Sequence, residues 1–163
     1  MLSEKLLIYS FYRFKQIRNK NKFKVEIERL LAKKTVRGTI LIANEGINAS
    51  ISGKEKDLCK IVSLIKRKLR IRKLNIKEQT IDFLPFNRMK VRLKKEIVSL
   101  GKGEINIKQN KELYIDADKW NKTINEKGIK ILDVRNNFEI DIGKFKNSLN
   151  PKTSSFREFP NKF

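Results

Sequence analysis

Four stretches of this sequence carry side chains that could do chemistry. Glu45-Gly46-Ile47-Asn48 sets a carboxylate and an amide beside a tight bend. Asp133-Val134-Arg135 closes an apolar run, and open α/β sheets gather ligand-binding groups at such strand ends. Arg88, Lys90, Arg92 and Lys94 recur at every second residue. On a strand they would share one face at a spacing of about 7 Å, close to that of successive phosphates in a single nucleic-acid strand. Cys59 is the one thiol. Each stretch also has a plainer reading. Most such turns are only turns, Asp and Arg near a strand end commonly pair to hold a loop, and basic residues often decorate a solvated strand face. Cys59 lies between Leu58 and Ile61 on a helical pattern and reads as a small core or core-edge residue.

Charge favours a polyanion. The 163 residues hold 39 Lys and Arg against 18 Asp and Glu, a formal net charge of +21. Residues 1–100 carry 26 cations and 9 carboxylates, whereas residues 101–163 carry 13 and 9, so the excess lies in the first part. An abundance of Lys, Asn and Ile, as in proteins from AT-rich genomes, would add surface lysines without function, and it weighs against reading too much into charge alone. With one Cys and no His, neither an internal disulfide nor a zinc site of Cys and His ligands is available, and no metal is expected. The N-terminus lacks a usable signal-peptide order and no segment is apolar enough to span a membrane, so a soluble cytoplasmic protein is expected.

The elements that would position these residues follow from periodicity. Leu6 to Phe14 reads as a strand and Gln16 to Lys22 as a loop. Phe23, Ile27, Leu30 and Leu31 then mark one helix face. Thr39 to Ala43 reads as a strand buried on both faces. Asn44-Glu45-Gly46 is turn chemistry, with a positive φ free of cost at Gly46 and tolerated at Asn44. Ile47, Ala49 and Ile51 face one way along the next strand, and Asn48, Ser50 and Ser52 the other. Ser52 to Glu55 fits a capping box, opening a helix over Lys54 to Leu69 with Leu58, Ile61, Val62, Ile65 and Leu69 on its apolar side. Leu74 to Leu84 is a weaker strand, closed by Pro85, and Met89 to Leu100 a better one. The β-α-β-β-α-β order over residues 1–100, with extra strand material before the last strand, is the ferredoxin-like pattern of an α+β domain with one sheet face open. Phe83, Phe86, Tyr9 and Tyr12 lie in or near strands and could stack bases or fill the core.

Residues 101–112 read as a linker. Beyond it, Ala117, Trp120 and Ile124 mark a short helix ended by Lys127-Gly128, Ile129 to Val134 reads as a buried strand, and an acidic loop follows. A helix leading into a strand suggests the opening of an α/β domain over residues 113–163.

Three motifs carry a resemblance. GTILIANEGINASISG resembles the G-x-I-L-I-A-x-E-G-I-N-G-T-x-S-G signature of the bacterial oxygen-dependent tRNA uridine hydroxylases, a rhodanese-domain family. MKVRLKKEIVSLG resembles its next signature, and ILDVRNNFEIDIGKFKNSLNP with FREFP resembles the start of its rhodanese domain. The resemblance runs from about Leu7 to Pro160. It implies an acylphosphatase-like (ferredoxin-like) first domain and a rhodanese domain after it. The implied activity is 5-hydroxylation of the wobble uridine of tRNA, with molecular oxygen as co-substrate. The implied partner is the tRNA anticodon stem-loop, held by the basic first domain. Glu45, Gly46, Ile47 and Asn48 take the family's E-G-I-N places, and Asp133 and Arg135 those of the rhodanese D-x-R. The family's catalytic-type Cys sits in a later C-x-x-G-x-R loop, which would lie after Phe163. Gly143-Lys144 stands where rhodaneses usually have Gly-His, and Asn147-Ser148 where they have Gly-Ala.

These residues are therefore expected to form a complete ferredoxin-like domain and a rhodanese domain truncated before its Cys loop. Catalysis would need a second chain carrying the rest, and no catalytic residue is assigned within the chain. A catalytically inactive RNA-binding module stands as the alternative. Rhodanese-type sulfur transfer is weakened because no Cys follows residue 59. Acylphosphatase chemistry is weakened because Lys15 to Lys22 lacks a Gly-rich phosphate cradle.

Overall fold

Alternating apolar residues in the first strand set the sheet. A computed structural model of the chain describes residues 5–98 and 115–162, which fall into two compact units, Met1–Val98 and Ser99–Phe163. In the first unit β1 (Leu6–Phe14) buries Leu7, Tyr9 and Phe11 on one face. There follow α1 (Lys20–Leu31), β2 (Arg37–Ala43), β3 (Gly46–Lys54), α2 (Glu55–Leu69), β4 (Lys77–Ile81) and β5 (Met89–Leu93). The helices pack on one face of a five-stranded sheet of order β4-β1-β3-β2-β5. Phe23, Ile27 and Leu31 of α1 and Leu58, Ile61, Ile65 and Leu69 of α2 meet Ile40, Ile42, Ile47 and Ile51 of the central strands. Each fully buried Leu or Ile contributes about 1.5–3 kcal/mol, so this single layer is the main source of the unit's stability.

The ferredoxin-like pattern holds, but its fourth strand is not the expected one. β4, the weaker candidate, pairs antiparallel with β1 and completes the β4-β1-β3-β2 core. β5, the stronger pattern, is an addition on the far edge, parallel to β2 with Ile40 opposite Val91. The sequence KEQTI hid β4 because its residues are nearly all exposed, as charged edge strands are. The strand expected over Met89 to Leu100 ends at Leu93, and Leu100 and the linker 101–112 lie outside the described residues.

Other local expectations are corrected. β2 is buried on one face only, through Ile40 and Ile42, while Thr39 and Leu41 are half-buried on the other. α1 begins three residues early because the Asn19 side chain caps the Lys22 N–H at 2.9 Å. No capping box forms at Ser52. β3 runs on to Lys54, and Ser52 is a fully buried strand residue opposite Ile8 and Arg37. Asn44 does not adopt positive φ. Gly46 does adopt a positive φ, and it is required for a second reason: a Cβ there would collide with the Arg13 carbonyl of β1.

In the second unit α3 (Ala117–Ile124) forms as expected. The expected acidic loop is instead α4 (Asn137–Ile142), opened by a capping box in which Glu139 accepts from the Asn136 N–H at 3.2 Å. Ile129 to Val134 is not a buried strand. Among the described residues it makes a single parallel bridge, Leu132 to Leu149, and Ile129 and Val134 stay exposed. A 3-10 turn (Phe156–Glu158) leads into α5 (Phe159–Lys162).

Gly46→Ala drives a Cβ into the Arg13 carbonyl and forces β1 and β3 apart there. An overpacking cost of about 1–3 kcal/mol is expected, read as a lower urea midpoint for the loss of strand signal in circular dichroism. An unchanged midpoint would contradict this reading of the contact.

Candidate nucleic-acid interface

The sheet face away from the helices is built by register. Ser10, Ser50, Thr39 and Lys90 lie in one cross-strand row, with Lys77 at its β4 end. The next row holds Tyr12, Asn48, Leu41 and Arg92. The Ser10 and Ser50 hydroxyls hydrogen-bond at 2.9 Å, so the middle of this row is polar, with Lys77 and Lys90 at its two ends. Lys90 and Arg92 alternate with Met89, Val91 and Leu93, which pack on the core side.

Arg88 and Lys94 flank β5 and extend its pairing: the Gly38 N–H donates to the Arg88 carbonyl at 3.1 Å and the Lys94 N–H to the Ile42 carbonyl at 2.8 Å. Arg88, Arg92 and Lys94 are exposed and Lys90 half-buried, and among the described residues none of the four is in an ion pair. The aromatic candidates separate. Tyr12 is 47% exposed on this face, set edge-on to Phe14, and Phe83 is 72% exposed. Phe86 is half-buried. Tyr9 belongs to the core, where burial, and then the Cys59 thiol 3.7 Å from its hydroxyl, hold the phenol above its ordinary value. Cys59 itself is exposed on α2, not a core residue, because its position lies beside the helix's buried stripe.

Glu45, Gly46, Ile47 and Asn48 act together as a fastening. The Asn44 and Glu45 carbonyls accept from the Ile17 and Lys15 N–H groups at 2.7 and 2.8 Å, tying down the chain after β1. One carboxylate oxygen of Glu45 accepts from the Ile97 N–H at 2.6 Å, and the Asn48 amide donates to the Ile97 carbonyl at 3.3 Å. Ile97 is only 3% exposed and stands apart from the main core cluster. Ile47 is fully buried. The turn thus fixes backbone. Sequence reasoning misses Ile97, because nothing local signals a partner about fifty residues away.

In the second unit Asp133 and Arg135 form a bidentate pair, Nε to Oδ1 at 2.9 Å and Nη2 to Oδ2 at 2.6 Å. Arg135 also donates to the Gly143 carbonyl at 2.6 Å, so the pair holds the α4–Gly143 corner. The hydrogen bonds from Arg135 pull the Asp133 carboxyl below its usual range, and the same bonds raise the guanidinium. Among the described residues no three His, Cys, Asp or Glu side chains are grouped to hold a metal ion, and no helix is long and apolar enough to cross a membrane.

Glu45→Ala leaves the buried Ile97 N–H without an acceptor, at a cost of about 1–3 kcal/mol. Hydrogen exchange should quicken at Ile97 while β1 and β3 stay protected, and unchanged exchange at Ile97 would count against the fastening. Because Asp133 is depressed in the folded state, its contribution is complete above the unfolded value of about 3.9 and is lost as pH falls from there through the lower native value. The single tryptophan, Trp120, packs 5.1 Å from Phe145 in this unit, so its fluorescence should report an acid transition that Asp133→Asn weakens.

Comparison with known proteins bears on both units. The family profile described as "UPF0176 acylphosphatase like domain" matches residues 6–97. The chain is 44% identical over 154 residues to a "tRNA uridine(34) hydroxylase" of Pelagibacter ubique, covering 94% of this chain and 51% of that protein. It is 40% identical over 154 residues to the protein of that name from a Wolbachia of Culex pipiens, covering 94% and 54%. Over 160 residues it is 37% identical to the one from Anaplasma phagocytophilum, covering 98% and 57%. The chain therefore spans about half the length of the curated relatives it matches. Among solved structures, an acylphosphatase from Coxiella burnetii aligns with a TM-score of 0.39 at 11% identity, over 56% of this chain and 100% of that one.

Proposed function

The chain belongs to the UPF0176 acylphosphatase-like domain family, and from that premise we propose that it serves the oxygen-dependent 5-hydroxylation of the wobble uridine of tRNA. In this reading the first unit holds the anticodon stem-loop on its open sheet face. The observation that carries it is the pair Lys90 and Arg92 on β5, flanked by Arg88 and Lys94, beside the polar Ser10–Ser50–Thr39 row and the exposed Tyr12. Cations at phosphate spacing follow a backbone, and an aromatic ring on the same face offers a stacking surface to an unpaired base. The second unit, read as the opening of a rhodanese-type domain over residues 113–163, is held in shape by the Asp133–Arg135 pair. That support comes from the motif order and from a likeness to the named hydroxylases that continues through this unit. Molecular oxygen is the co-substrate and the cytoplasm, where tRNA is processed, the location. The described side chains are given the work of binding and positioning; none is assigned to the oxidative step.

The test is binding of a fluorescent anticodon stem-loop by the whole chain across a salt series. Affinity should fall steeply with salt. Arg88→Ala/Arg92→Ala should weaken binding and lower the salt slope by about 2, one for each phosphate no longer neutralised. No binding at low salt would overturn the proposal. A double variant that binds like the parent would remove the sheet edge from it.

A further inference from the structure

The helix side of the first unit carries a second cationic feature that the sheet-face reading does not use. Between α1 and α2 lies an open groove of about 700 Å³. Arg29, Lys60, Arg67 and Lys68 line it, and Glu26 is its one carboxylate. Glu26 is already taken by Lys68, at 2.8 Å. Of the other carboxylates on the two helices, Glu28 and Asp57 are likewise engaged, by Lys24 at 3.5 Å and Lys34 at 2.7 Å, and Glu55, at the start of α2, does not line the groove. Arg29, Lys60 and Arg67 are in no ion pair among the described residues. The floor is apolar, from the partly buried Leu30 and Leu64.

We propose that this groove is a second RNA contact, which seats the phosphate backbone of a duplex segment. The proposal rests on the tRNA reading above for the identity of the RNA. Charge complementarity selects the occupant: three cations outside any ion pair among the described residues, over an apolar floor, attract a polyanion and repel a basic partner. Spacing fits as well. Lys60 and Arg67 stand seven residues apart on α2, about 10 Å along the helix axis, so their long side chains can reach phosphates that are not immediate neighbours. A cation near a helix C-terminus also stabilises its own helix, which accounts for Arg29 and Arg67 individually. It does not account for Lys60, which lies in the first half of α2.

Cys59 makes the groove directly measurable. It is the single thiol of the chain, it is exposed and it lines the groove. The experiment follows maleimide labelling of Cys59 in the whole chain, with and without saturating tRNA, and reads the ratio of the two rates. The expected result is labelling slowed several-fold by whole tRNA. Lys60→Glu/Arg67→Glu should abolish that protection, weaken binding and lower the salt slope by about 2. Arg29→Glu, on the other helix, should act in the same direction, and matched thermal unfolding of the variants keeps folding out of the comparison.

If tRNA binds but leaves Cys59 labelling unchanged, and the groove variants bind like the parent, the groove proposal is overturned and the sheet-face reading stands. If tRNA is not bound but an unrelated RNA duplex protects Cys59, the groove stands and the tRNA reading falls. If neither RNA binds, both fall. If polyglutamate protects Cys59 where RNA does not, RNA is the wrong occupant and the proposal fails.

Discussion

The first unit depends on one close approach, that of β3 to β1 at Gly46. A side chain there would run into the Arg13 carbonyl, so the two strands can pair to their very ends only because Gly46 lacks one. That pairing places the Asn44 and Glu45 carbonyls over the Ile17 and Lys15 N–H groups, and it aims Glu45 and Asn48 at the two backbone groups of Ile97. Three stretches of chain, distant in sequence, are closed by one turn of two residues. Buried backbone groups must be satisfied, and here a carboxylate and an amide do for Ile97 what a neighbouring strand would otherwise do.

The same layering decides where charge can go. One sheet face and two helix stripes are consumed by the core, so polar residues are confined to the open sheet face and the outer helix surfaces. A net charge of +21 repels itself in the compact state, and most of it lies before residue 101. Glu26, Glu28 and Asp57 on the helices are engaged by lysines, which leaves other cations without internal counter-charge. A bound polyanion would relieve that repulsion and release its own counterions in the same step, so the proposed RNA binding and the stability of the unit would draw on one electrostatic source.

How far the sequence could be read depended on whether a signal was local. Leu58, Ile61, Val62, Ile65 and Leu69 are all buried in α2, as their spacing requires. The alternation of Ile47, Ala49 and Ile51 also places them in the core. Capping signals are ambiguous in the sequence. Ser52 fits the pattern, but its strand pairs too far along for it to cap, whereas Asn136 with Glu139 is the same kind of pattern and does open a helix. Strand order was beyond reach, because KEQTI and MKVRL differ in apolar content and not in which edge they join. The Glu45–Ile97 contact was also hidden, since it is a tertiary pairing with no periodicity behind it. In the second unit the apolar run Ile129 to Val134 implies burial, but a strand is defined by its partners, and among the described residues only Leu149 bridges it.

The position of β5 bears on what the basic ladder is for. An exposed strand edge invites pairing with other chains, and charged residues are a common defence. That alone would explain Arg88 to Lys94, just as it explains the polar β4 on the opposite edge. The two edges are not equivalent, however. β4 mixes Lys77 with Glu78, and Glu78 meets Lys5 at 3.6 Å, so that edge is locally compensated. The β5 ladder is cationic only and stays out of ion pairs among the described residues. Edge protection needs charge of either sign. A run of one sign on a register set by β2 suits a ligand of the other sign, and that difference between the two edges is the physical ground on which the proposed nucleic-acid contact is put at β5.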